Sequence, residues 1–201
     1  GNGLANLHNA GKARSGIVNV VGDHALDHAR HESPLKSAAA AIAGSVSGWV
    51  RSCQSAAEVG LDAAAAVQAT RDGAVGRIAT LLLPADTAWS PGGRAAVAAP
   101  AAAPSFDAAA VPATAQWLTQ LGPRALLLLG AGGSASERAQ HLAAAIADKT
   151  GCRLMAEFYN ARMPGGRGRP RIDRLPYVVD AAVAKLAGTE LLVLAGAVEP
   201  I

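Results

Sequence analysis

Leu126–Leu142 reads LLLLGAGGSASERAQHL. An uninterrupted apolar run stops at a glycine, more glycines follow, and a serine then opens a stretch of helical character. Four consecutive leucines fit a strand buried on both faces, as in a parallel sheet. The stretch Ser136–Thr150 reads as a helix. Strand, glycine turn and helix together form the repeating unit of open α/β layers.

Gly130, Gly132 and Gly133 let a backbone approach a phosphate, and the helix start behind them offers free N–H groups and a positive dipole end. The full GxGxxG is absent, and no acidic residue after the next strand marks a ribose contact. A tight turn with nothing bound is the competing reading.

The pattern continues on both sides of this unit. Thr114–Leu121 reads as a helix, CRLMAEF as a strand, Asp180–Ala187 as a helix and ELLVLAG as a last strand. Before them, Ser90–Pro112 contains PGGRAAVAAPAAAPSFDAAAVP, which has neither helical nor strand period and reads as a semi-rigid linker. The first half starts with a helix in LANLHNAGKA and a short strand in IVNVV. A second strand is expected over Ser45–Cys53, with Val46 and Val50 pointing inward. Ser55–Thr70 reads as a helix with Ser55 as N-cap and Glu58 completing a capping box. RIATLLLP is a fully apolar strand closed by Pro84. The expected fold class is α/β, with two open, mostly parallel α/β layers at 1–89 and 113–201, joined by a Pro/Ala-rich linker at 90–112.

At 201 residues the chain has room for one large domain or two modest ones, each with a real core. Half of it is apolar, at 51%, but only 3% is aromatic, which fits helices packed closely on sheets of Val, Leu and Ile. The net charge of +3 is too small to argue for nucleic acid. Cys53 and Cys152 form no CxxC pair, so neither a disulfide scaffold nor a zinc knuckle is indicated, and a reducing cytoplasm fits. No apolar run approaches the roughly 20 residues that span a bilayer. The opening GNGLANLHNAGKA shows neither a methionine nor a signal-peptide pattern.

Chemistry-bearing side chains concentrate in GIVNVVGDHALDHARHESPL, Gly16–Leu35. His24, His28 and His31 are spaced four and three apart. On one helix face they could ligate zinc, with Asp23, Asp27 or Glu32 as a further ligand, but no HExxH accompanies them. They could instead move protons at a strand's C-terminal end, where open sheets bind ligands. A solvated turn is the third reading. ARMPGGRGRPRIDR, Ala161–Arg174, is arginine-rich but has no aromatic residues for base stacking within it, only Tyr159 and Tyr177 beside it. A loop meeting an anion, a neighbouring domain or solvent is favoured over RNA binding.

Taken together, these phrases resemble the thiamine-diphosphate-dependent enzymes, specifically the acetolactate synthase large-subunit-like group. GNGLANLHNAGKARSGIVNVVGDHA is similar to the part of the pyrimidine-binding domain that follows that family's GPGxxN turn. HESPLKSAAAAIAGSVSGWVRSCQSAAEV is similar to the next segment, and GRIATLLLPADTAW to the phrase that closes the domain, with Pro84 and Asp86 at matching places. RALLLLGAGGSASERAQHLAAAIADKTGCRLMAE resembles the opening of the central, Rossmann-like domain, and AKLAGTELLVLAGAVEP its last helix and strand. The order is co-linear over essentially the whole chain.

The resemblance implies a 2-keto acid as substrate, thiamine diphosphate with Mg²⁺ as cofactor, a decarboxylation or carboligation, and a homodimer or homotetramer. In the family a glutamate hydrogen-bonds the aminopyrimidine and promotes loss of the thiazolium C2 proton, and a GDG…NN motif holds the diphosphate and Mg²⁺. The matching segments of the family would precede Gly1 and follow Ile201, so an internal piece, inactive alone, is expected. Asn2 falls where the asparagine of GPGxxN falls. Gly22, Asp23 and His24 lead toward the cofactor. His28 and His31 fall where relatives place proton-transfer side chains and are the candidate catalytic residues. No metal ligand is assigned within this chain. True acetolactate synthases bind FAD in the central domain and other relatives do not. Gly130, Gly132, Gly133 and the arginines near Arg162 would meet its pyrophosphate, though the partial glycine pattern argues against it. The alternative from another class is a stand-alone nucleotide- or anion-binding module using the Gly130 turn and the basic loop; a non-catalytic structural subunit is a third.

Overall fold

The computed structural model describes residues 1–72, 76–101 and 105–200. The chain divides into two compact units, Gly1–Ala103 and Pro104–Ile201. Each is an open α/β layer with an all-parallel sheet among the described residues, the fold class expected from the alternation of apolar runs and alanine-rich helices.

The first unit contains helices α1 (Asn2–Lys12), α2 (Ala39–Gly44), α3 (Val59–Ala69) and α4 (Ala85–Trp89). Its strands are β1 (Ile17–Asp23), β2 (Trp49–Ser52) and β3 (Ile78–Pro84), in the order β1-β3-β2. The sequence of β3, apolar but for Thr80, suits its place in the middle, where both faces are covered. β1 lies outside, and its residues alternate between half-buried and exposed. Ala66 and Ala69 of α3 pack on Ala79, with Trp49 against them; small side chains let the helix approach the sheet closely. The one polar side chain inside β3, Thr80, is fully buried. Its hydroxyl receives the Asn19 amide at 3.1 Å and meets the Ser47 hydroxyl at 2.7 Å, so burial leaves no orphaned group there.

The second unit begins with α5 (Ala110–Leu121) and a short 3₁₀ turn at Gly122–Arg124. Then come β4 (Ala125–Leu129), α6 (Ala131–Ala135), α7 (Glu137–Thr150), β5 (Arg153–Ala156), β6 (Asp173–Arg174), α8 (Val179–Leu186) and β7 (Leu191–Ala195). The sheet order is β6-β5-β4-β7. Every residue of β4 is buried. Leu127 and Leu129 face a core that includes Leu118 of α5 and Ala143 of α7, while Leu126 and Leu128 face Met155, Leu175, Ala182 and Leu186. Two faces covered by helices account for four leucines in a row, each contributing roughly 2–3 kcal/mol by burial.

Four local expectations change. β2 starts at Trp49, so Val46 precedes the strand instead of lying in it. The capping box at Ser55 does not form: α3 begins at Val59, and the Glu58 N–H goes to the Ser55 carbonyl at 3.2 Å in a turn. Ser and Glu three apart satisfy a turn as readily as a helix start. α5 begins at Ala110, before Pro112, which a first helical turn tolerates because its missing N–H would lack a partner anyway. The glycines after β4 form the separate helix α6, and Ser136 then caps α7, its hydroxyl accepting the Ala139 N–H at 3.3 Å. Gly151 closes α7 in the left-handed conformation, with φ at +72°. Among the described residues no helix is long and apolar enough to cross a membrane.

Candidate functional site

In a parallel sheet, neighbouring strands end on the same side, and ligands collect beyond those ends. β1 and β3 end together, with Asp23 beside Pro84. Beyond them lies a cleft of about 440 Å³ lined by Gly22, Asp23, His24 and Ser37, with Leu35, Leu83, Ala85 and Ala88 as its apolar wall. Gly22, Asp23 and His24, which the family resemblance implies lead toward the cofactor, lie together in this lining. A Cβ added at Gly22 would meet nothing within 4 Å, so the backbone there is open to an approaching group.

The histidine loop starts at this rim. The Asp23 carboxylate accepts the His24 N–H at 2.8 Å. Backbone bonds from His28 and Ala29 to the Ala25 carbonyl, and from His31 to the His28 carbonyl, close two successive turns. The loop is not a helix, yet it brings the rings into a row, with His24 and His28 centroids 5.4 Å apart and His28 and His31 5.6 Å apart. His24 is half-buried, while His28 and His31 are exposed. Nε2 of His24 lies 3.2 Å from the Ser33 hydroxyl, and Nε2 of His31 accepts from Arg30 Nε at 3.3 Å. Among the described residues no three His, Cys, Asp or Glu side chains converge as a metal-binding group.

Asp86 was marked in the sequence only by its resemblance to a closing phrase. In the structure its carboxylate, in the first turn of α4, accepts the Leu26 N–H at 3.1 Å and ties the histidine loop to the end of β3. Ser33 and Ser37 carried no sequence signal, because small polar residues in a loop have no period. Asn2 is exposed in the first turn of α1, where its carbonyl accepts from the Asn6 amide at 2.9 Å, and it does not line the cleft.

In the second unit the glycines serve different purposes. A Cβ at Gly130 would sit 1.8 Å from the Gly196 carbonyl oxygen, so glycine there is required by the close approach of the chain after β7. At Gly132 nothing lies within 4 Å, and at Gly133 the neighbours stand at ordinary contact distance. Several polar groups around this turn bond to one another, although the Gln140 Oε1 is buried without a hydrogen-bond partner. Ser134 donates to Asn160 at 2.6 Å, and the buried Gln140 amide donates to the Ser134 and Pro164 carbonyls at 2.6 and 3.2 Å. Arg169 reaches Glu137, in the first turn of α7, at 3.0 Å. The basic loop is thereby fastened to α7, and its last residues pair with β5 as β6. Phe158 and Tyr159, adjacent in sequence, form one exposed ring cluster with the distant Tyr177, with centroids 4.9–6.3 Å apart.

No family model matches the chain. Over all 201 residues it is 44% identical to IlvX of Mycobacterium tuberculosis, a protein named for the acetolactate synthase large subunit, and it spans 38% of that protein. Its fold is similar to thiamine diphosphate-dependent 4-hydroxybenzoylformate decarboxylase of Rhodococcus jostii RHA1, with a TM-score of 0.71, 20% identity, and coverage of 96% of this chain and 37% of that one. It is similar also to benzoylformate decarboxylase of Polynucleobacter necessarius, with a TM-score of 0.68, 18% identity, and coverage of 96% of this chain and 36% of that one. In sequence the chain is similar along its whole length to a protein named for the acetolactate synthase large subunit, of which it spans 38%, and its fold is similar to parts of two decarboxylases, one of them thiamine diphosphate-dependent.

Proposed function

We propose that the chain forms part of a thiamine-diphosphate-dependent enzyme that decarboxylates a 2-keto acid or joins the product to an acceptor. Residues 1–89 act as the latter part of a pyrimidine-binding domain, 90–112 as a linker and 113–201 as a central domain. The observation that carries this reading is the cleft where β1 and β3 end, with Gly22, Asp23 and His24 at its rim.

The lining of that cleft fits one portion of the cofactor. Leu35, Leu83, Ala85 and Ala88 offer an apolar wall to a flat heteroaromatic ring, and Asp23, His24 and Ser37 offer polar groups to its edge. No Lys or Arg is among the lining residues, so the diphosphate and Mg²⁺ belong to residues outside this site. Thiamine diphosphate, when bound, supplies the thiazolium carbon acid that activates a 2-keto acid. The chain's own residues bind and orient: Asp23 and His24 hold the ring edge, while Asn2, which the family pattern puts beside it, stands outside the cleft lining and is given no part in it. His28 and His31, exposed just beyond the rim, hold or move protons for the bound substrate.

For the central unit we propose a form without flavin. Gly130 is taken up by packing on Gly196, the Ser134 and Gln140 side chains bond within the protein, and Glu137 puts a carboxylate at the start of α7. Glu137 is paired with Arg169 at 3.0 Å, so the charges at the start of α7 are engaged within the protein and not offered to a pyrophosphate. The rival reading, a nucleotide- or anion-binding module, draws support from the ring cluster of Phe158, Tyr159 and Tyr177 near the basic loop. It calls for a nucleotide to raise the melting midpoint of the chain.

Two buried, unpaired cysteines accord with work in the cytoplasm, and an oligomer is proposed from the family pattern. The test is to sequence the coding DNA on both sides of this stretch and assay the product of that frame for pyruvate decarboxylation. The expected result is an upstream glutamate, a downstream GDG…NN and CO₂ release that requires thiamine diphosphate and Mg²⁺. A frame without those motifs, or a product whose activity ignores the cofactor, overturns the proposal.

A further inference from the structure

We infer that Asp86 and Ser33 are positioning residues that hold the histidine loop over the rim of the β1–β3 cleft. Two strands end side by side there, and each continues into a different structure, β1 into the loop and β3 into α4. Left to itself, a loop starting at Asp23 has many conformations that keep its histidines away from the cleft. Two contacts restrict it. The Asp86 carboxylate accepts the Leu26 N–H at 3.1 Å, across 60 positions of sequence, and fixes the first turn of the loop to α4. The Ser33 hydroxyl, 3.2 Å from Nε2 of His24, fixes the returning limb of the loop to the ring at the rim.

Between these anchors the His24, His28 and His31 rings lie in a row with centroid spacings of 5.4 and 5.6 Å. The row starts in the cleft lining, at half-buried His24, and runs outward to exposed His31. A carboxylate accepting a backbone N–H in a half-buried place makes a charge-assisted bond, stronger than a neutral one. Thr87, next to Asp86, donates to the Pro84 carbonyl at 2.7 Å and keeps the α4 turn fixed on the strand end. The functional meaning rests on reading this rim as a cofactor cleft; the anchoring does not.

The test uses ligand-free NMR of the whole chain. Asp86→Ala is expected to speed Leu26 amide exchange roughly tenfold and to move the ring signals of both His24 and His28. Asp86→Asn keeps a carbonyl acceptor and restores both. Ser33→Ala is expected to move the His24 ring signals while Leu26 exchange keeps its original rate, and Ser33→Thr restores them. A merely structural role for Asp86 lowers the melting midpoint without moving the rings, and that result overturns the inference. Should Asp86→Ala not fold, an unmoved His24 ring in Ser33→Ala overturns it as well. Because no cofactor is added, failure here is distinct from failure of the cofactor reading, which shows as cofactor-independent activity of the longer product.

Discussion

The Arg51 guanidinium meets the Asp62 carboxylate at 2.9 Å and joins β2 to α3. The two partners are unequal: the Asp62 side chain is 11% exposed and that of Arg51 49%. Arg51 also lies over the Trp49 ring, 5.1 Å from its centroid. Removing the arginine strands a nearly buried carboxylate, whereas removing the aspartate returns the arginine to water. Arg51→Ala is therefore expected to cost about 1–2 kcal/mol and Asp62→Ala less. Urea unfolding midpoints for the two variants check the order.

Cys53 is fully buried beside this pair. Burial, reinforced by a hydrogen bond and the charge of Asp62, pushes its thiol up from 9.0 to about 11. A thiol whose folded value is raised adds stability that is complete below pH 9 and is lost as pH climbs toward 11. The loss is on the order of 2 kcal/mol, and Cys53→Ala removes that part of the alkaline slope. Alkylation at pH 9 provides a second readout, slow in the native chain and faster in Asp62→Ala.

Gly130 and Gly132 separate packing from openness. Gly130→Ala puts a methyl 1.8 Å from the Gly196 oxygen and is expected to cost 3 kcal/mol or more, an order of magnitude taken from overpacked cores. Gly132→Ala falls inside α6 with free space around it and is expected to stabilise by about 0.5–1 kcal/mol. Thermal melts of both variants decide it.

Thr80→Val keeps the shape of the side chain and removes the hydroxyl that Asn19 and Ser47 use. Two half-buried polar groups lose their partner, so a cost of about 1–3 kcal/mol is expected, with Thr80→Ser recovering most of it. Denaturant titration of the three proteins is sufficient.

Thiamine diphosphate and Mg²⁺ added to the isolated 201 residues are expected to release no CO₂ from pyruvate. In the product of the longer frame, His28→Asn or His31→Asn is expected to lower kcat by about 10²–10⁴-fold and to change its pH profile. An unchanged profile in both variants removes these histidines from the proton-transfer role.

The legible parts of the sequence are those whose cause is local. Four leucines mark β4 because helices cover both faces of that strand, and the stretch Ser136–Thr150 shows as a helix by its own residues. The strand-end position of Gly22, Asp23 and His24 followed from β1 stopping at a glycine and a polar residue. Contacts set by tertiary structure were not legible. Ser55 and Glu58 have the spacing of a capping box and make a turn; Gly130 owes its identity to Gly196, a neighbour 66 positions on in the numbering. The histidine spacing of four and three fits a helix face, but two turns produce the row of rings instead. Asp86 reaches Leu26 through the fold alone, so no short window of sequence contains that bond.

The hydroxyl of Thr80 also has a bearing on how the first sheet assembles. In β1, whose residues alternate between half-buried and exposed, a slide of one place would turn every side chain to the opposite face of the sheet. Here a slide of one place would set Asn19 against Ala79 or Leu81, neither of which can take its amide proton. Misaligned pairings of β1 and β3 thus also leave the Asn19 amide without its acceptor, a penalty that adds to the reversal of faces and that the aligned pairing escapes.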